Sequence, residues 1–198
     1  MMTISKMLFK LISFYFKKKV FFIKDLDVGD GVVIKGKPII QISKNAKIAL
    51  GKNVTLNSLN YGYHANMYSP VKLMADREHA IIKIGDNTRI NGACLHAYNS
   101  IEIGKNCLIA ANVQILDASG HELSFENPSN RINTSSEGKP VVIEDNVWIG
   151  LNAIILAGVR IGQGSVIGAN TVVTKDVPSM VVFVGSPGKV VKKVDLND

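Results

Sequence analysis

A chain of 198 residues with 46% apolar side chains can build one domain with a sizeable core and at most a short appendage. Its net charge of +7 points to an anionic partner, but the lysines are not interleaved with aromatics and no groove-reading motif is present, so nucleic acid is not expected. No apolar run reaches the ~20 residues of a spanning helix, and the two cysteines, Cys94 and Cys107, suit buried filling rather than a disulfide framework or a CxxC site.

Residues 1–27 form a basic amphipathic segment. Its "SKMLFKLISFYFKKKVFFIK" mixes aromatics with Lys6, Lys10, Lys17, Lys18, Lys19 and Lys24. The apolar part is short, is broken by Lys10 and lacks a small-residue cleavage site, so it does not read as a signal peptide. Two roles fit. A helix here can cap the open end of a β scaffold, shielding its unpaired strand edges, and this role is favoured. It can also lie on an anionic membrane. The expected location is cytoplasmic, with the inner face of the membrane as the place such a helix would take the protein.

From about Val28 an aliphatic rhythm begins, faintly at Ile34 and Ile40, then Ile42 and Ile48, then Leu50 and Leu56. It is lost over 57–80, which is expected to be a loop, and returns at Ile84, Ile90 and His96, then at Ile103, Ile109 and Ile115. It breaks again at "DASGHELSFENPSNRINTSSEGKP", giving a second expected loop over 122–140. From Ile143 it is strict: Ile143, Ile149, Ile155, Ile161, Ile167 and Val173 recur every six residues. Asn146, Asn152, Gly158, Gly164, Asn170 and Asp176 hold the fourth position, and small or β-branched residues from Val147 to Val177 hold the fifth.

A helix cannot use this pattern, because six steps of about 100° send successive isoleucines in different directions. Strands can, since even offsets fall on one face, and Asn, Asp and Gly accept the left-handed backbone of a sharp corner. A hexapeptide period of this kind predicts a parallel β-helix over 28–178, followed by a C-terminal extension at 179–198.

The stretch "GKPVVIEDNVWIGLNAIILAGVRIGQGSVIGANTVVTKDVPSMVVFVGSPGKVVKK" resembles the hexapeptide-repeat acyltransferases, in particular the sugar O-acetyltransferase branch with the maltose and galactoside acetyltransferases. The VWIG, VIGA, VVTKDVP and GxPxKV elements carry the likeness, which extends over about 84–193. The resemblance implies an all-β, left-handed parallel β-helix, a homotrimer, and acetyl-CoA as donor to a sugar or glycan acceptor. Handedness, trimer and donor follow from the resemblance alone.

Three six-residue steps from Ile103 lead to position 121, so His121 stands where the next inward aliphatic residue is due, at the root of the second loop. Acetyl transfer from a thioester to a hydroxyl needs a base, and an imidazole can take that proton near neutrality. In the family a histidine in a matching "GH" context does so, which assigns the role to His121, with Glu122 a weaker candidate for orienting the ring. The family's spacing also matches Asn91 of "RINGA" to the residue that stabilises the oxyanion. Family correspondence further assigns Trp148, Ala169, Thr174, Lys175, Lys189 and Lys192 to the cofactor. Two departures are present: Gly188 replaces the family's usual alanine, and lysines stand where some relatives have arginine, weakening bidentate phosphate contact.

Carbonic anhydrases on this scaffold present three histidines, two of them five apart. His64, His79, His96 and His121 contain no such pair, so no metal is expected. The leading expectation is an acetyl-CoA-dependent O-acetyltransferase for a sugar hydroxyl, with surface polysaccharide synthesis as its setting, working between neighbouring subunits. The alternatives are an N-acetyltransferase for an amino sugar or xenobiotic, and a non-catalytic β-helix assembly module. Arg131 can either contact substrate or fix its own loop.

Overall fold

The structure, a computed structural model, describes residues 11, 13–16 and 18–194. Within the N-terminal basic segment, residues 1–10, 12 and 17 lie outside this set, as do residues 195–198 of the C-terminal extension.

The six-residue rhythm becomes short parallel strands on three faces, visited in turn. Face A stacks Leu26–Val28, Lys47–Leu50, Ile81–Ile84, Ser100–Ile103, Val141–Ile143 and Arg160–Ile161. Face B stacks Val33–Lys35, Thr55–Asn57, Arg89–Asn91, Leu108–Ile109, Trp148–Ile149, Val166–Ile167 and Val181–Gly185, closed by an antiparallel Gly188–Lys193. Face C stacks Ile39–Ile42, Lys72–Ala75, Cys94–Ala97, Gln114–Leu116, Ile154–Ile155 and Val172–Val173.

Register places like on like. Ile90, Ile109, Ile149 and Ile167 pair strand to strand on face B. Ile84, Ile103, Ile143 and Ile161 do so on face A, and Ile115, Ile155 and Val173 on face C. All of these side chains are buried and together form one core down the axis. Each inward side chain therefore loses water against its own counterparts in the coils above and below, which is where the apolar driving force is spent.

The corners explain the fourth position. Asn146, Asn152, Gly158, Gly164 and Asn170 all have positive φ. Asn53, Asn87, Asn106 and Asn146 form a hydrogen-bonded ladder at the corner between faces A and B, at 3.1–3.3 Å. Asn112, Asn152 and Asn170 form a second ladder between faces B and C, at 3.1 Å. Asp176 departs from the pattern; its carboxylate instead accepts the Arg160 backbone N–H at 2.8 Å.

Several sequence expectations need correction. The stretch 57–80 is not one loop, because Lys72–Ala75 is a face C strand with Leu73 and Ala75 buried in the core. His96 does not continue the inward series; Leu95 is the inward residue, paired with Ile115, and His96 points out. Cys107 is buried as expected, whereas Cys94 sits half-buried on the outer side of face C. Within the C-terminal extension, Val181–Gly185 continues face B in parallel with Val166–Ile167. Gly188 has a local cause, as a Cβ there would lie 2.1 Å from the Phe183 ring.

At the other end, helical backbone at 11, 13–16 and 18–20 leads into the first coil. Val20 is buried, and Phe16 and Ile23 pack on the core, so this segment does cap the scaffold.

The ladder yields a test. Asn106 has φ 56° and carries two ladder bonds. Replacement by alanine keeps neither the bonds nor an easy left-handed backbone and should cost about 1–3 kcal/mol, while glycine, free to take positive φ, should cost less. Equilibrium urea unfolding of Asn106→Ala and Asn106→Gly checks the order.

Candidate active site

Two rows of side chains point outward along face B, one strand spacing of about 4.8 Å apart at each step. One row runs Arg89, Leu108, Trp148, Val166. The other runs Lys35, Asn57, Asn91 and then, one residue beyond each inward isoleucine, Ala110, Gly150 and Gly168. Above Asn91 the second row therefore has almost no side chains. A groove of about 510 Å³ occupies that lane, walled by Leu108 and Trp148 and bordered by Ala169. Below Asn91 a recess of about 460 Å³ continues down the face past Asn57 and Lys35, beside Tyr61 and Tyr63. Arg89, Asn91 and Tyr63 border both cavities.

The Asn91 amide is fixed from both ends. Its Oδ1 accepts from Asn57 Nδ2 at 3.2 Å, and its Nδ2 donates to the Ile109 carbonyl at 3.0 Å. An amide nitrogen carries two hydrogens, so one N–H is left to serve a ligand. The loop over this junction is tied down at Asn112, which accepts from the Tyr68 N–H at 2.9 Å and donates to the Asn66 carbonyl at 3.0 Å. Burial pushes the Tyr63 phenol above its usual range, against a smaller pull from the Ala111 backbone beside it, so the ring stays neutral.

His121 lies elsewhere. Ile103 pairs with Ile143, and the coil carrying the histidine spans 40 residues where Asn152 to Asn170 spans 18. The inserted stretch leaves at the edge between faces C and A. His121 is exposed on it, not at the inward coil position that counting by six implies. The root is held by buried Asp117, whose two oxygens accept the N–H groups of Tyr98 and Asn99 at 2.7 Å each. Burial pushes that carboxyl above the usual carboxylate range, while these backbone N–H groups and nearby His96 pull the other way. The Lys139 N–H returns to the Asp117 carbonyl at 2.7 Å, closing the loop. Arg77 donates to Ser135 at 2.9 Å while lying over the Tyr98 ring, which pins the returning limb.

Within the loop, a 3₁₀ turn at Pro128–Asn133 brings the Thr134 carbonyl 3.0 Å from His121 Nδ1. A carbonyl only accepts, so Nδ1 carries a hydrogen, and in the neutral ring the lone pair is on Nε2. The ring is therefore oriented by a backbone oxygen and not by Glu122, whose own N–H goes to Thr134 Oγ1. Arg131 is a loop fastener, donating to the Leu123 carbonyl and lying over Phe125.

The residues assigned from the sequence thus fall into two groups. Asn91, Trp148 and Ala169 line the face B groove. Lys189 and Lys192 pair with Val184 and Val182, which puts both lysines on the outer side of face B at its upper end. His121, Thr174 and Lys175 stand along the edge between faces C and A, where Thr174 and Lys175 are exposed just after Val172–Val173. No described cavity is lined by both His121 and Asn91. Sequence reasoning did not find Arg89, Ala110, Gly150, Gly168, Asn57 or Lys35. Their signal was the register, notably a small residue after each face B isoleucine. Among the described residues no three of His, Cys, Asp and Glu gather as metal ligands would.

A family profile described as the hexapeptide repeat of succinyl-transferase matches residues 81–117 and 140–175. The gap between the two stretches is the His121 loop. A lipopolysaccharide biosynthesis O-acetyl transferase of Escherichia coli K12, WbbJ, is 34% identical over 143 residues, covering 69% of this chain and 72% of that protein. The chain belongs to the hexapeptide-repeat acetyltransferases. The fold is accordingly that family's left-handed parallel β-helix.

The galactoside O-acetyltransferase of Lactococcus lactis is 43% identical over 98 residues, covering 50% of this chain and 45% of that protein. The chain spans less than half the length of the curated galactoside relatives it matches, 45% and 47%. The solved structure of a galactoside acetyltransferase in complex with coenzyme A superposes with a TM-score of 0.56 at 28% identity, covering 87% of this chain and 68% of that one.

Proposed function

We propose that the protein is an acetyl-CoA-dependent O-acetyltransferase acting on a sugar hydroxyl, in the service of surface polysaccharide synthesis, with each active site completed between two subunits of a homotrimer. One observation supports the reading: His121 Nδ1 is held 3.0 Å from the Thr134 carbonyl on the loop at the edge between faces C and A, while the Asn91 groove opens on face B and His121 is not among its lining residues.

The groove suits the donor. A long, thin pantetheine arm fits a lane floored by Ala110, Gly150 and Gly168, with the exposed Trp148 ring as its wall. Lys189 and Lys192 at the upper end match the phosphates, as do Thr174 and Lys175 from a neighbour's edge. The thioester then comes to rest at Asn91, where the lane of small residues ends.

His121 Nε2 takes the proton of the acceptor hydroxyl as its oxygen attacks the thioester carbonyl. The spare Asn91 N–H stabilises the charge that develops on the carbonyl oxygen. The imidazolium returns the proton to the departing CoA sulfur. No covalent enzyme intermediate is needed.

Charge and exposure favour the shared site. Face A carries two ion pairs, Lys83 with Glu102 and Arg160 with Glu144, as suits a face left in water. The loop beyond His121 instead exposes Phe125 (76%) and Ile132 (80%), and face B exposes Trp148 (52%). A ring of identical contacts, each bringing one copy's loop edge to the next copy's groove, covers both.

The N-terminal cap has a second use. Phe14 and Phe22 are 59% and 87% exposed on the side away from the core, and Phe14, Lys18, Phe21 and Phe22 border one hollow. Aromatics flanked by lysines suit the surface of an anionic bilayer, which would hold the enzyme at the inner face of the membrane. Among the described residues no helix is long and apolar enough to cross a membrane.

His121→Ala should lower kcat by about 10²–10⁴-fold while the thermal shift given by acetyl-CoA persists. Full activity in that variant contradicts the mechanism, and loss of the thermal shift in the parent protein favours the non-catalytic assembly module. A matched panel of hydroxyl and amine acceptors separates O- from N-acetylation. For the membrane reading, vesicle sedimentation should show Phe14→Ser/Phe22→Ser released from anionic vesicles; unchanged partitioning of the double variant removes that role.

A further inference from the structure

The recess below Asn91 has a chemistry of its own. It is lined by Lys35 and Arg89 and by no carboxylate. Both side chains are exposed, and among the described residues neither makes an ion pair. On face A, by comparison, Lys83 and Arg160 each stand beside a glutamate, while Lys47 does not.

Their placement relative to the reacting centre is fixed by register. Lys35, Asn57 and Asn91 lie in one row, so Lys35 stands two strand spacings, about 9–10 Å, below the amide assigned to the oxyanion. Arg89 flanks Asn91 on the same strand, two residues back. A ligand whose hydroxyl is at Asn91 thus has one cation beside it and another at its far end. Tyr61 and Tyr63 border the same recess. Asn57, only 7% exposed, separates the two cations and has its amide committed to Asn91 and to the Leu59 N–H.

We infer that the acceptor is acidic: a glycan or activated sugar whose carboxylate or phosphate is held by Arg89 and Lys35 while its hydroxyl is presented to the thioester at Asn91. This rests on the acetyltransferase reading given above and specifies its substrate class. A second copy closing over face B removes water from the recess, which strengthens the attraction of both cations for an oxyanion. Arg89 supplies a planar fork for two oxygens, and Lys35 a mobile point charge.

The test measures kcat/KM in the full-length protein with three acceptors of similar size: a uronic-acid oligosaccharide, a nucleoside-diphosphate hexose and a neutral oligosaccharide. The inference predicts that at least one acidic acceptor beats the neutral one by about tenfold or more, and that Arg89→Gln and Lys35→Gln each cut this ratio by a similar factor. The ratio is the readout because a folding defect lowers all three acceptors together. Preference for the carboxylate or for the phosphate probe tells the two oxyanion sources apart. Equal or better use of the neutral acceptor, no transfer to either acidic one, or an unchanged ratio in both variants overturns the inference. In any of these cases a retained acetyl-CoA thermal shift leaves the transferase reading standing, whereas its loss overturns both.

Discussion

A left-handed step of the backbone at the corners, recurring every six residues from Asn146 to Asn170, is the constraint from which the rest of the molecule follows. Asparagine accepts that step and at the same time bonds to the asparagine one coil away, at Asn87, Asn106 and Asn146 on one edge and Asn112, Asn152 and Asn170 on another. With the corners fixed, the strands between them stay short, and the inward isoleucines stack on their own counterparts in the next coil while sharing one core with the other two faces. Three flat faces result. A side chain on one face cannot reach around a corner to another, so a constellation that needs groups from different faces has to be assembled from more than one copy or from a loop that leaves the scaffold.

That division organises the chemistry. Face A holds two ion pairs and suits water. Face B combines a lane without side chains, an indole and a fixed amide with one N–H to spare. The edge between faces C and A releases the chain for a long loop and takes it back, and the strength of that root decides how well His121 is aimed. Asp117 ties the departing limb to Tyr98 and Asn99, Arg77 ties the returning limb at Ser135, and the Thr134 carbonyl selects the tautomer. A flexible-looking, polar stretch of sequence is thereby converted into a positioned imidazole.

Much of the scaffold was legible before any coordinates, because inward isoleucines, left-handed corner residues and small fifth-position residues obey one period from Ile143 to Val177. Legibility failed wherever the period was disturbed by a residue or two. The step from Ile90 to the inward Leu95 is one residue short, which made His96 look like a core position when it faces out toward Asp76. The strand Lys72–Ala75 follows an insertion that resets the phase, so Leu73 and Ala75 could not be matched to earlier coils. The same resetting displaced His121 from core register to a loop. Its candidacy was readable from the break in rhythm and from the family likeness, but its hydrogen-bond partner was not, since Thr134 is brought back by a 3₁₀ turn with no periodic signal. On face B, Trp148 and Ala169 lay within recognisable motifs, whereas Arg89 and Lys35 became visible only when strand register put them beside Asn91.

The claim on which the account stands is that His121 of one copy works in the Asn91 groove of the next. Co-refolding equal amounts of His121→Ala and Asn91→Ala chains, each inactive alone, tests it directly by measuring acetyl transfer from acetyl-CoA in the mixed assemblies. Random mixing in a ring of heterologous contacts should pair an intact groove with an intact histidine at about a quarter of the sites, so activity should recover toward about a quarter of the unsubstituted protein. No recovery, with mixed assemblies demonstrably formed, would place both groups in a site built by a single chain and contradict the account.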